Sequence, residues 1–293
     1  MEKTINSSTK TTGKNGPSIG LALGAGGARG LAHIHILSAF DELGLKPNLI
    51  TGTSMGAVIG AGYASGYSAA ELEDYTRKRF ANRWQLIADI WKLRPDSVKS
   101  FMNEGGPRIG EINIERILKA FMPSKICDDF SQLEIPLQIV ATDYYGHCDK
   151  IFTKGALMPA VAASAAIPAV FLPLEIDDTV LIDGGMTNPT PFDLLDGKTD
   201  IVIAIDVAGG PEGDVSEKPN KIDVMYATPQ LMQLTITNEK AKHNQLDILV
   251  RPEMGHVRAL DFMKTQDILD ATVGLKDSFK RDLENTIEAF EKR

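Results

Sequence analysis

Short apolar runs alternate with longer stretches of helical periodicity along most of this chain. Residues 18–23 (SIGLAL) form an apolar run closed by glycine, the pattern of a buried strand. Leu31, Ile34, Leu37, Ala39 and Leu43 then recur at helical spacing, and Gly44 supplies a stop. A second short strand at 49–51 runs directly into a turn at Ser54, and a helix is predicted over 55–64. Residues 69–81 read as a charged surface helix and 112–122 as another helix. Strands are expected at 137–142, 150–154, 170–174 and 180–182, the last two flanking a turn at Asp177-Asp178, with a small-residue helix at 157–166 ended by Pro168. The β-branched run at 201–207 suits the inside of a parallel sheet. A Gly/Pro/charged loop follows at 209–221. Helix is expected at 221–243, kinked or delayed by Pro229, then a last strand at 246–250 and helices over 260–293. Strands alternating with helices in this way predict an α/β fold, a mainly parallel sheet with helices on both faces in a single domain over 18–293.

Composition narrows the function classes. The 293 residues carry 24% charged and 43% hydrophobic residues, ordinary for a globular chain, and a formal net charge of −8. No overall basic field is present to attract nucleic acid. Cys127 and Cys148 are too few for a disulfide framework and lack metal-site spacing, so buried free thiols in a reducing compartment are expected. Residues 1–17 are polar, with no apolar core of a secretory signal, and read as a disordered tail. No apolar run approaches the roughly 20 residues of a membrane-spanning helix. The expectation is a cytoplasmic protein, with peripheral contact at a membrane left open.

The candidate chemistry centres on Gly52-Thr53-Ser54-Met55-Gly56, lying between a predicted strand and a predicted helix. Gly-x-Ser-x-Gly in that context is the sequence of a nucleophile elbow, which lifts a serine hydroxyl above a sheet edge. A hydroxyl is a weak nucleophile and needs a base. The five histidines, His33, His35, His147, His243 and His256, sit in contexts that suit surface or structural roles. Asp183 is the stronger partner. An apolar strand delivers its carboxylate to a strand end, and Gly184-Gly185 lets the chain turn away, although a plain Asp-Gly-Gly turn reads the same way. The loop Gly24-Ala25-Gly26-Gly27-Ala28-Arg29-Gly30 fails the dinucleotide fingerprint because Arg29 stands where a third glycine is needed, and it lacks a phosphate-loop lysine. It does offer the amides of Gly26, Gly27 and Ala28 at a helix start, able to hold a developing oxyanion. Arg29 adds a charge that either steadies the loop or meets an anionic head group.

Together these residues resemble the patatin-like phospholipases. The resemblance rests on the 24–30 loop, the Ser54 pentapeptide, Ala163-Ser164-Ala165-Ala166-Ile167-Pro168 and Asp183-Gly184-Gly185, in the family's order, with Ala141-Thr142-Asp143, Phe152 and Gly155 also similar, over residues 18–208. It implies a three-layer α/β/α sandwich and a serine acyl-ester hydrolase working through a Ser–Asp dyad. Ser54 would be the nucleophile and Asp183 the base. The amides of Gly26, Gly27 and Ala28 would form the oxyanion hole, with Gly24, Arg29, Gly30, Gly52, Gly56, Gly184 and Gly185 in support. The 163–168 block would shape the pocket. A lipid or acyl ester is the implied substrate, without metal or cofactor. Three alternatives stay open: an acyltransferase on the same serine, an esterase assisted by His243 or His256, and a non-catalytic lipid-binding or regulatory protein. Residues 84–107 interleave Trp84, Trp91, Ile87 and Ile90 with Lys92 and Arg94, just after Arg83. They read as a lid or acyl-chain contact, or as a helical insertion packed on the core, the commoner fate of an apolar stripe.

Overall fold

Every side chain of β1 (Ile19–Leu23) and β7 (Ile201–Ile205) is buried, although successive residues of a strand point to opposite faces. Both faces of the sheet centre must therefore be covered. The computed structural model describes residues 16–81, 114–211, 214, 216, 218–254 and 257–293. The expected 1–17 tail, the 84–107 segment and His256 fall wholly or almost wholly outside them. Leu21, Leu23, Ile201, Ile203 and Ile205 face one core, while Ala22, Val202 and Ala204 face a second, smaller one. The larger core is filled from α1 (His33–Glu42), α2 (Met55–Ala64), α3 (Ala69–Phe80), α4 (Ile114–Phe121), α5 (Leu157–Ser164), α7 (Thr265–Thr272) and α8 (Leu275–Glu291). The smaller core is capped by Phe192 and Leu195 of a 3-10 turn, with Ala241 after α6 (Lys221–Lys240). Helix, sheet and helix form three layers, as expected.

The sheet order is β5-β6-β3-β2-β1-β7-β8, with β4 paired to the free side of β3. The strands β2 (Leu49–Thr53), β1, β7 and β8 (Ile248–Val250), together with β3 (Leu137–Asp143), run parallel. Those named β4 (Cys148–Phe152), β5 (Leu174–Ile176) and β6 (Thr179–Asp183) add antiparallel pairs. One detail of this register decides the site. Strand β2 pairs with β3 up to Thr53 opposite Val140, whereas β6 pairs antiparallel with the next stretch of β3, Asp183 standing opposite Ala141. Because β4 occupies the other side of β3 over 139–143, β2 and β6 share one edge of that strand and meet with their C-terminal ends facing. Ser54 and Asp183 are the residues at that seam.

Three expectations shift. The thiols expected to be buried are not: Cys148 is exposed at the start of β4, and Cys127 is half-buried. The strand expected at 170–174 begins only at Leu174, because Val170 and Phe171 turn back onto the Ile167 carbonyl after the rigid Pro168, and Ala169 takes φ 66°. The helix expected from Leu31 starts as a 3-10 turn over Gly27–Ala32 and becomes α-helical at His33.

Candidate active site

Ser54 sits where β2 must turn sharply into α2, and it adopts φ 55° and ψ −120°. That backbone region is costly for a residue with a side chain and persists only where the surroundings impose it. They do so through close packing. A Cβ on Gly52 would lie 2.8 Å from the Ala57 Cα, and one on Gly56 would strike the Leu23 carbonyl. The α2 helix thus packs directly on the β1 and β2 backbones, and the serine hydroxyl is held at its N-terminal end.

The Ser54 hydroxyl donates to Asp183 Oδ2 at 2.7 Å. Both residues are buried, at 3% exposure each. The other carboxylate oxygen, Oδ1, accepts the Gly185 N–H at 2.7 Å, the turn that Gly184 permits by packing on the Val140 carbonyl. Burial pushes the Asp183 carboxyl up to about 6, against the opposing pull of the Ser54 hydroxyl and the Gly185 amide. A carboxylate with that pKa is ionised at neutral pH, yet is a stronger base than an ordinary aspartate. The chain beyond Asp183 is stitched back over the seam. Thr51 and Thr53 donate to the Pro191 and Asn188 carbonyls at 2.9 and 2.8 Å.

The 163–168 block does more than shape a pocket. Ser164 Oγ accepts the Ser54 N–H at 2.8 Å and donates to the Val140 carbonyl at 2.6 Å, while the Asp183 N–H donates to the Ala166 carbonyl at 3.0 Å. One short segment therefore holds the backbone of both Ser54 and Asp183. Thr142 Oγ1 adds a bond to the Asp183 carbonyl at 2.9 Å. Sequence reading passed over Ser164 as one small residue among alanines; its only signal was a hydroxyl in an otherwise apolar helix. Ser164→Ala strands a buried amide and carbonyl, an expected loss of about 1–3 kcal/mol. We expect kcat to fall about tenfold to a hundredfold with KM little changed, Ser164→Thr recovering part of it, as checked by steady-state kinetics and thermal unfolding.

The glycine loop needs one correction. Ala28, expected among three oxyanion donors, already gives its N–H to the Ala259 carbonyl at 2.7 Å. Gly24 and Ala25 are likewise committed, to Ile205 and Pro189 carbonyls at 2.9 and 2.7 Å. No protein acceptor faces the amides of Gly26 and Gly27 among the described residues, and both residues line a cavity with Ser54 and Asp183. Gly27 has φ 57° and lies against Ala259 so closely that a Cβ would collide with it. Gly30 abuts the Met55 side chain. Arg29 is 3% exposed, its guanidinium donating to the Val257 and Ala208 carbonyls. It steadies the loop by tying it to two other segments, and is too deeply buried to meet a head group.

No described histidine hydrogen-bonds to Ser54. His33 is fully buried, its Nε2 bonded to the Gly24 carbonyl at 2.9 Å, and burial pushes its imidazole down to about 4. It stays neutral in use and steadies the start of the glycine loop. His35 bonds the Leu269 carbonyl at 2.9 Å, His243 is exposed beside Glu239, and His147 occupies an exposed turn.

The sequence model of the patatin-like phospholipase family matches residues 21–196, a span holding the elbow, the glycine loop and Asp183. The chain belongs to this family. An NTE family protein of Mycobacterium tuberculosis is 34% identical over 215 residues, covering 72% of this chain and 55% of its own. The lysophospholipase NTE1 of Saccharomyces cerevisiae is 27% identical over 283 residues, 87% of this chain and 16% of that protein. Patatin-like phospholipase domain-containing protein 6 of Mus musculus is 33% identical over 206 residues, 69% of this chain and 14% of that one. The chain thus spans about half the length of the mycobacterial relative and a small part of the others.

Within the family frame the surroundings of Ser54 are informative. Two cavities meet there, sharing Gly27, Ser54, Ile167 and Leu260. One, of about 310 Å³, runs between α2, α3 and α4 and is walled by aliphatic and aromatic side chains. The other, of about 260 Å³, holds the free amides, Asp183, Gln230 and Gln233. A site of this shape can seat an apolar tail on one side of a reacting carbon and a more polar group on the other. No helix among the described residues is long and apolar enough to cross a membrane.

Proposed function

We propose that this protein is a serine acyl-ester hydrolase of the phospholipase, lysophospholipase or esterase type, acting on lipid esters through Ser54 and Asp183. The observation that carries the reading is the direct 2.7 Å bond between hydroxyl and carboxylate at a strained elbow beside two unengaged amides. The names of the relatives support it at the level of a lipid-ester hydrolase.

The mechanism follows from the geometry. Asp183 takes the proton as Ser54 Oγ attacks the ester carbonyl carbon. The amides of Gly26 and Gly27 hold the oxygen as it becomes negative, each such donor being worth about 10²–10³ in rate. As the tetrahedral intermediate collapses, the alcohol leaves with the proton from Asp183, and the acyl group stays on Ser54. Water attacks the acyl-serine next. Asp183 removes its proton and returns it to Ser54, releasing the fatty acid. The acyl tail occupies the apolar cleft, and the leaving alcohol occupies the cavity with Gln230 and Gln233.

A fluorophosphonate probe tests the assignment. Ser54 Oγ displaces fluoride from phosphorus, and the adduct is located by peptide mass spectrometry. Wild type is expected to label at Ser54 and Ser54→Ala not at all. Label of equal strength on Ser54→Ala would place the nucleophile elsewhere.

A further inference from the structure

Gly62 lies in the wall of the apolar cleft that opens at Ser54. Gly52 and Gly56 are required because a Cβ would meet neighbouring backbone. A Cβ on Gly62 would instead meet only one side chain, Leu72, at 2.9 Å from Cδ2. Its φ is not in the left-handed region, and it lies inside α2, where glycine is disfavoured relative to alanine. Nothing in the backbone calls for a glycine here. The missing Cβ lets the Leu72 side chain seat directly against α2.

Gly62 is the residue of α2 lining the apolar cleft that lies farthest from Ser54, and Leu72 lines the cleft beside it. The face of α2 lining the cleft runs Ser54, Met55, Val58, Ile59 and Gly62. Eight residues at 1.5 Å rise put Gly62 about 12 Å from the nucleophile along the helix axis. Met122, Pro123 and Ile126 also line the cleft, and their segment is fastened just past the end of α2 by the Lys125 amide on Tyr67 Oη at 2.9 Å and the Cys127 amide on Ser65 Oγ at 3.2 Å. From α3, the buried Leu72 projects against Gly62.

We propose that Gly62 and Leu72 together set the longest acyl chain this cleft accepts. An extended chain advances about 1.25 Å per carbon for single bonds near 1.5 Å, so the distance admits about ten carbons. The inference rests on the hydrolase reading, since it assigns the cleft to the acyl side of the ester. It makes the protein selective for medium-chain acyl groups, with the limit written in two positions rather than in the catalytic residues.

The two positions give opposite tests. The bulk added in Gly62→Leu pushes the Leu72 side chain into the cleft, and Leu72→Ala clears that space. The readout is kcat/KM across p-nitrophenyl esters from butyryl to tetradecanoyl, taken as ratios within each protein so that any loss of folded enzyme cancels. The decanoyl-to-butyryl ratio should fall in Gly62→Leu by about fourfold for each methylene that no longer fits, the partition of one CH₂ from water. Gly62→Ala should move the ratio the same way by less. In Leu72→Ala the tetradecanoyl-to-decanoyl ratio should rise by about tenfold or more. Profiles that stay fixed in all three variants, or that move in one direction together, overturn the proposal while the esterase reading stands. Absence of butyryl turnover and of Ser54 labelling in wild type overturns both.

Discussion

Ser54→Ala and Asp183→Asn should each lower kcat for a short acyl ester by about 10⁴–10⁶, because nucleophile and base act as one unit. The double variant should be scarcely worse than Ser54→Ala alone, since removing the proton acceptor costs nothing once the proton donor is gone. The expectation separates the dyad from a histidine-assisted scheme. There an asparagine in place of Asp183 would still accept the Gly185 amide and leave the imidazole to work. The structure gives that scheme little footing among the described residues: the Ser54 hydroxyl is bonded to Asp183 itself, and His33 is fully buried on the Gly24 carbonyl. The measurement is kcat at about pH 7.5, where the carboxylate is ionised, on protein whose fold is checked by circular dichroism. Retention of more than about a tenth of wild-type turnover by Asp183→Asn would show that the carboxylate is not the base.

Local chemistry made much of this site legible in the sequence, and tertiary closure hid the rest. The elbow could be read because its requirements are local: a strand, two glycines that let α2 touch β1 and β2, and a helix. Asp183 was readable as a carboxylate at a strand end. Its meeting with a serine 129 positions away depends on β2 and β6 sharing one edge of β3, a register that apolar periodicity does not encode. The Ala28 amide and Arg29 were misjudged or left open for a related reason. Their partners, the carbonyls of Ala259, Val257 and Ala208, belong to distant loops with no marker of contact. His33 was legible as structural and Ser164 as part of a pocket block, but the bonds each makes were not, because both act on backbone atoms, which leave no complementary residue to find.

A second large effect is expected in the opposite sense, on stability. Asp183 carries a folded pKa of about 6 against an ordinary 3.8, so the folded state holds its proton more tightly than the unfolded chain does. The sign is then fixed: the group's stabilising contribution is fully present below pH 3.8 and is lost as pH rises through about 6. Above that, folding bears the burial of a carboxylate, up to about 3 kcal/mol for a shift of this size. The Asp183→Asn substitution leaves no charge to bury. The variant should therefore be more stable than wild type by up to about 3 kcal/mol at pH 8, raising Tm by several degrees, and nearly equal to it at pH 4. His33 acts in reverse, its pKa lowered from 6.5 to about 4, so its contribution is present above 6.5 and lost as pH falls. The two groups largely offset one another in wild type, and only the variant-minus-wild-type difference isolates Asp183. In the proposed mechanism the same ionisation governs catalysis. Wild-type kcat/KM should fall about tenfold per pH unit below about 6 and level off above about pH 7. If thermal melts show Asp183→Asn gaining nothing between pH 4 and pH 8, the carboxylate is not held under strain in the folded site. If they show the expected rise beside an inactive enzyme, the base that takes the Ser54 proton is also the residue that weakens the fold around it.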